Sequence, residues 1–193
     1  MNNAKTILKI YQRMFDALGP QQWWPGETPF EVVIGAILTQ NTNWSNVEKA
    51  IKNLKTAGML SPGGIQELSL PELAQLIRPS GFFNVKARRV KTFINWLFSR
   101  YEGNLSSMFA QDLQTLRDEL LSVKGIGPET ADSILLYAGN LPTFVVHAYT
   151  HRIFSRHGFI SEESTYDEMK TFFEENLPKD VKLYNEYHAL LVN

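Results

Sequence analysis

A chain of 193 residues can bury one large core or two smaller ones, and its 44% hydrophobic content is ordinary for a globular protein. It contains no cysteine, which excludes disulfides, thiolate zinc sites and a cysteine-ligated iron–sulfur cluster. A net charge of −1 argues weakly against a bulk binder of polyanions, and there is neither a membrane-length apolar run nor a signal-peptide pattern, so the expectation is a soluble, cytoplasmic protein without a membrane partner.

In chain order the pattern is helical. Residues 4–18 carry Ile7, Leu8, Ile10, Tyr11, Met14, Phe15 and Leu18 at helical spacing, and Gly19-Pro20 stops the segment. Trp23-Trp24-Pro25-Gly26 reads as a rigid aromatic loop ahead of a helix over 29–40, which is apolar on nearly all sides and so must be buried. A helix over 43–57, a Pro/Gly turn over 61–64 and a short helix over 71–78 come next. Asn84 reads as the N-cap of a long helix ending at Tyr101. Residues 106–121 lead into Gly125-Ile126-Gly127-Pro128, and helices over 129–138, 148–157, 165–176 and 179–192 complete the chain. No strand-like alternation, internal repeat or low-complexity linker appears, so the fold class is all-α.

The Gly125–Pro128 stretch carries the first chemical signal. Two glycines permit a tight reversal, and Pro128 suits the first turn of a new helix, which makes a helical hairpin. Backbone N–H groups of such a loop point outward together, and the helix dipole adds partial positive charge, so an anion such as phosphate fits there. Ile126 would pin the loop into the core beneath it. A second signal is charge: Arg78, Lys86, Arg88, Arg89, Lys91 and Arg100 lie between Glu72 and Glu102 with no acid among them, which suggests a one-sided cationic face.

With its flanks, this stretch resembles a known family. The run V-K-G-I-G-P-E-T-A-D-S-I-L, then Gly139 and Pro142, then V-V-H-A-Y-T-H-R-I-F, is similar to the helix-hairpin-helix, Gly/Pro-Asp superfamily of DNA glycosylases, in the branch of endonuclease III and its alkylbase relatives. I-G-A-I-L-T-Q-N-T (34–42) and P-S-G-F-F-N-V-K-A (79–87) match in the same order, so the resemblance spans nearly the whole chain. It implies two helical lobes, a central one over about 22–138 with the hairpin at 120–138, and a second built from about 1–21 plus 139–193. Double-stranded DNA with a damaged base is the implied partner, held by a monomer near the nucleoid with the base extruded between lobes. No cofactor is implied; many relatives carry an iron–sulfur cluster after a segment like L-Y-N-E-Y-H-A-L-L-V, and a chain without cysteine is either a cluster-free member or has lost that tail.

The resemblance also assigns roles. Phe82 matches the wedge that fills the gap left by an extruded base, with Phe83 beside it in the core. Gln40 would enter the stack from the other side. Trp24 and Trp44, with Trp23, match the base pocket of the endonuclease III-type 3-methyladenine glycosylases, where stacked indoles favour a cationic alkylated purine. Lys124, Gly125, Ile126, Gly127, Glu129 and Thr130 of the hairpin, with Lys86 and Arg88, would hold phosphates. Glu129 stands where bifunctional members carry a lysine, which disfavours a Schiff-base lyase.

One position departs from the pattern. His147 occupies the place of the family's catalytic aspartate. A carboxylate there stabilises positive charge growing on the sugar; a neutral imidazole does not, although it could position a water as a general base, and a cationic leaving group needs less help. Asp132 reads as structural, and His151, His157 and His188 as packing or surface residues without metal-ligand company. The function expected is monofunctional hydrolysis of alkylated purines of the 3-methyladenine kind, weakened or lost through His147. A non-catalytic DNA-binding or lesion-sensing protein and an oxidised-pyrimidine glycosylase are the alternatives.

Overall fold

The computed structural model describes residues 3–21, 23 and 26–193. Among them there is no strand, and the helices are α1 (Asn3–Leu18), α2 (Pro29–Leu38), α3 (Trp44–Thr56), α4 (Pro62–Glu67), α5 (Leu70–Leu76), α6 (Phe83–Tyr101), α7 (Leu105–Phe109), α8 (Leu113–Ser122), α9 (Pro128–Ser133), α10 (Ala148–Arg156), α11 (Tyr166–Asn176) and α12 (Val181–Val192). The chain divides into two compact units, Pro25–Ile134 and Met1–Trp24 with Leu135–Asn193.

In the unit over 25–134, α2 is the buried strut that its composition demands. Thr28 caps it by accepting the Glu31 N–H, Pro29 opens its first turn, and Val33, Ile34, Ile37 and Leu38 are fully buried. Helix α3 starts on a similar cap, Asn43 to the Asn46 N–H, and packs on α2. The Ser61–Gly64 segment is not a plain turn: Ser61 accepts the Gly64 N–H and so begins α4. Ser69 and Glu72 form a reciprocal capping box at α5, which ends at Leu76 and gives way to a 3₁₀ turn over Arg78–Ser80.

The start of α6 corrects the sequence reading. Asn84 is not the cap; the helix starts at Phe83 from Phe82, which has left-handed backbone (φ 44) and no capping side chain. The Phe82 carbonyl instead accepts the Val85 and Lys86 N–H groups, so backbone alone nucleates the helix. The 106–121 segment is two helices, α7 and α8, started by Asn104 and Asp112 caps. Buried Asp132 on α9 takes a two-pronged bond from Arg117 on α8 at 2.9 and 3.2 Å, locking the hairpin's two helices together.

The other unit gathers α1, α10, α11 and α12 around Ile7, Phe144, Phe154, Phe173, Tyr184, Tyr187 and Leu191. Phe144 and Phe173 stack with centroids 4.2 Å apart, and each buried aromatic of this kind contributes about 1.5–3 kcal/mol. Glu174 fixes the extended segment before α10 by accepting the Phe144 N–H at 2.8 Å. Residues Ile134–Ala138 form a π-helical turn, and such a turn re-aims the side chains it carries, here Tyr137.

Candidate functional site

The hairpin is built for close backbone approach. Gly125 has φ +100, and a Cβ there would sit 2.6 Å from Arg89 Cγ, so the position admits glycine only. Lys124, Gly127 and Glu129 are exposed on the loop and the first turn of α9. Ile126 is buried, and its N–H donates to the Val123 carbonyl at 3.0 Å. That N–H is therefore not available to a phosphate. Thr130 is also buried, with its hydroxyl accepting from Gln40 Nε2 at 3.0 Å.

Gln40 departs from its expected role as well. Its amide N–H₂ also donates to the Gly125 carbonyl at 3.0 Å, and its Oε1 accepts from Arg89. All of the amide is engaged, and the side chain braces α2 to the hairpin rather than standing ready to enter a base stack. Phe82, by contrast, is 71% exposed at the tip of its turn. An aromatic held outward on left-handed backbone is a strained arrangement of the sort retained at functional positions. Phe83 is half-buried with Arg78 against its ring.

The cationic face largely dissolves. Lys86 is 1% exposed, and its ammonium donates to the Leu38 carbonyl at 2.7 Å and to the Ser80 carbonyl. Burial, with Arg89 nearby, lowers its pKa from the usual lysine value, and it cannot reach a phosphate. Lys91 caps the carbonyls of Ile65 and Gln66, and Arg100 pairs with Glu119. Arg78 and Arg88 of that face are left exposed, as is Lys124 on the hairpin. Trp44, half-buried at the start of α3, donates Nε1–H to Glu48 at 3.1 Å and lines a shallow hollow with Glu31, Ile51 and Lys55.

In the other unit an aromatic and imidazole cluster stands out. Trp24 lies outside the described residues. Trp23 stacks on His188 with centroids 5.2 Å apart and planes at 21°, and Tyr137 lies 5.5 Å from the same indole. The Tyr137 phenol bonds to His188 Nδ1. Burial pushes that phenol's pKa well above its ordinary value, so it keeps its proton. With the phenol donating to Nδ1, the ring proton of His188 lies on Nε2; with the roles reversed, it lies on Nδ1. Burial, then His147, holds the His188 pKa down to about 3, so the ring is neutral. The Nε2 atom is buried without a hydrogen-bond partner, a state costing about 1–3 kcal/mol.

His147 is 6.3 Å from His188, ring to ring, and is the N-cap of α10. Its Nδ1 accepts the Tyr149 N–H at 3.2 Å, and its own N–H donates to Thr150 Oγ1 at 3.2 Å. This settles the tautomer: the Nδ1 lone pair faces a backbone donor, and Nε2 holds the proton. The Nδ1 lone pair that a water-positioning role would use is occupied by the Tyr149 N–H in this arrangement. Its capping role fits well, because an N-cap needs only one acceptor. His151 Nε2 pairs with the Glu162 carbonyl at 3.0 Å, and His157 is exposed. Among the described residues no group of three or more histidines and carboxylates is placed to hold a metal ion.

Residues 34–179 match the profile of the HhH-GPD superfamily of base excision DNA repair proteins. The chain belongs to that superfamily. It is 53% identical over 193 residues to MJ1434 of Methanocaldococcus jannaschii, provisionally named a DNA repair glycosylase, covering 99% of this chain and 87% of that protein. It is 28% identical to endonuclease III of Sulfolobus acidocaldarius, covering 85% of this chain and 71% of the relative. Among solved structures, H. pylori 3-methyladenine DNA glycosylase (MagIII) bound to 1,N6-ethenoadenine superposes with a TM-score of 0.82 and 30% identity, covering 98% of this chain and 95% of that one.

In this HhH-GPD chain, Tyr137 is a candidate that the sequence reading did not single out, and His188, read there as a packing or surface residue, joins it in the buried cluster. A signal existed for His188: Tyr184, Tyr187, His188 and Leu191 follow the i, i+3, i+4, i+7 rule, which puts the imidazole on the buried face of α12. No sequence pattern announced the π-helical turn that carries Tyr137. Glu129, at the family's lysine position, is an exposed carboxylate in the first turn of α9.

Proposed function

We propose that this HhH-GPD chain is a monofunctional DNA glycosylase that removes cationic alkylated purines of the 3-methyladenine class from duplex DNA. The coarser part follows from the family and from the MJ1434 and endonuclease III relatives: it is a DNA glycosylase of base excision repair by descent. The observation that carries the finer part is the Trp23, Tyr137 and His188 cluster beside His147, aromatic and uncharged. A π face attracts a cationic base more than a neutral one, and the neutral His188 adds no repulsion. The 3-methyladenine name of the H. pylori relative is consistent with this reading.

The state of His147 favours the same substrate class. An imidazole whose lone pair accepts the Tyr149 N–H supplies no negative charge to the sugar, so hydrolysis draws more of its driving force from the leaving group. Purines already carrying positive charge leave most readily. Phe82 serves as the wedge, and Lys124 with the hairpin backbone and Arg88 as strand contacts; Glu129 supplies no amine for a lyase step.

The same observation supports a second reading, a lesion-binding protein without chemistry. Restoring the carboxylate separates the two. Chromatography of bases released from methylated duplex is expected to show His147→Asp exceeding the unaltered protein by about tenfold or more, the scale on which one stabilising group acts. Lesion-duplex binding by both forms with no base released by either would leave only the binding reading.

A further inference from the structure

We propose that His188 is a specificity residue, whose Nε2–H donates a hydrogen bond to a ring-nitrogen acceptor of the extruded purine while Trp23 stacks with the cluster around it. The inference rests on the glycosylase reading above and names how that site tells one base from another.

Three observations carry it. His188 is 4% exposed, and its Nε2 has no partner, an arrangement that folded proteins seldom leave without a use. Tyr137 bonds the opposite nitrogen, and with its hydroxyl donating there the ring proton lies on Nε2, the tautomer the proposal assigns. The ring also lies flat against Trp23 and 6.3 Å from His147, the residue at the family's catalytic position.

The chemistry of this donor is selective. A neutral N–H rewards a base with an in-plane lone pair and brings no positive charge against a cationic ring; lysine or arginine at 188 would bring one. Purine N1 and N7 are such acceptors. Tyr137 is a positioning residue, acting through the tautomer it imposes.

The test measures quenching of tryptophan fluorescence in the whole protein by free 3-methyladenine and by its 1-deaza and 7-deaza counterparts, each lacking one acceptor. The unaltered protein is expected to bind one counterpart about tenfold more weakly, the effect of one lost hydrogen bond. His188→Phe should bind all three alike, and His188→Gln, which retains an N–H near Nε2, should recover part of the discrimination. Tyr137→Phe should reduce discrimination with the fold intact by circular dichroism. Equal binding of all three by the unaltered protein, or full discrimination by His188→Phe, would overturn the proposal. Release of purines from methylated DNA, measured alongside, keeps the two failures apart. Release without dependence on His188 defeats the donor alone, whereas neither binding nor release defeats the glycosylase reading with it.

Discussion

An aspartate at position 147 would cap α10 through one carboxylate oxygen and keep its negative charge for the reacting sugar. The imidazole has a single lone pair and gives it to the Tyr149 N–H, so the helix keeps its cap and the site loses its charge. The neighbouring His188 yields a prediction about stability. The unfolded chain protonates this residue near 6.5, whereas the folded one resists until about 3, because burial and His147 oppose its charge. More protons are then bound by the unfolded state, so stability falls as pH drops through that window, by up to about 1.4 kcal/mol per pH unit. Urea unfolding between pH 7 and 4 should show this slope, and His188→Phe should flatten it. Equal slopes would mean that His188 is accessible to protons in the fold. Little of this was legible in the sequence, because tautomer and burial depend on partners far along the chain, such as Tyr137 for His188.

Among the elements, the hairpin was read most fully, since glycine and proline constrain backbone locally. Gly125 was expected at a reversal, and its φ of +100 with Arg89 packed against it explains why. Gly125→Ala should cost about 1–3 kcal/mol in urea unfolding, the range for strained backbone, and disturb Arg89 and its bond to Gln40. An unchanged midpoint would contradict the contact. The start of α6 was misread because Asn84 is a good cap by composition, whereas the chain reverses earlier through Gly81 and Phe82. Gln40 was misread for a different reason: its partners, Gly125, Thr130 and Arg89, are distant in sequence and only the fold brings them to it.

For the molecule as a whole, the residue pattern announced an all-α chain, and the helices bear that out. Charge counting succeeded less well, because a run of six cations says nothing about which of them are buried or paired. The structure divides their roles, and DNA binding should follow the division. Arg88→Ala, at an exposed position of that run, should lower the slope of log affinity against log salt by about 0.9, one phosphate contact. Lys86→Met should leave that slope unchanged while destabilising the fold by about 1–3 kcal/mol, since two buried carbonyls lose their donor. A reduced slope for Lys86→Met would contradict its assignment as an internal strut.

On the proposed function, this chain releases bases whose own positive charge makes them good leaving groups, since the imidazole at 147 brings no carboxylate charge to the sugar. The most direct measurement compares single-turnover release from duplexes carrying 3-methyladenine or 7-methylguanine with release from duplexes carrying hypoxanthine or uracil. Release of the cationic purines and none of the neutral bases is the expected result. Equally fast release of a neutral base would contradict the proposal, since a neutral leaving group needs the transition-state charge stabilisation that a carboxylate would give.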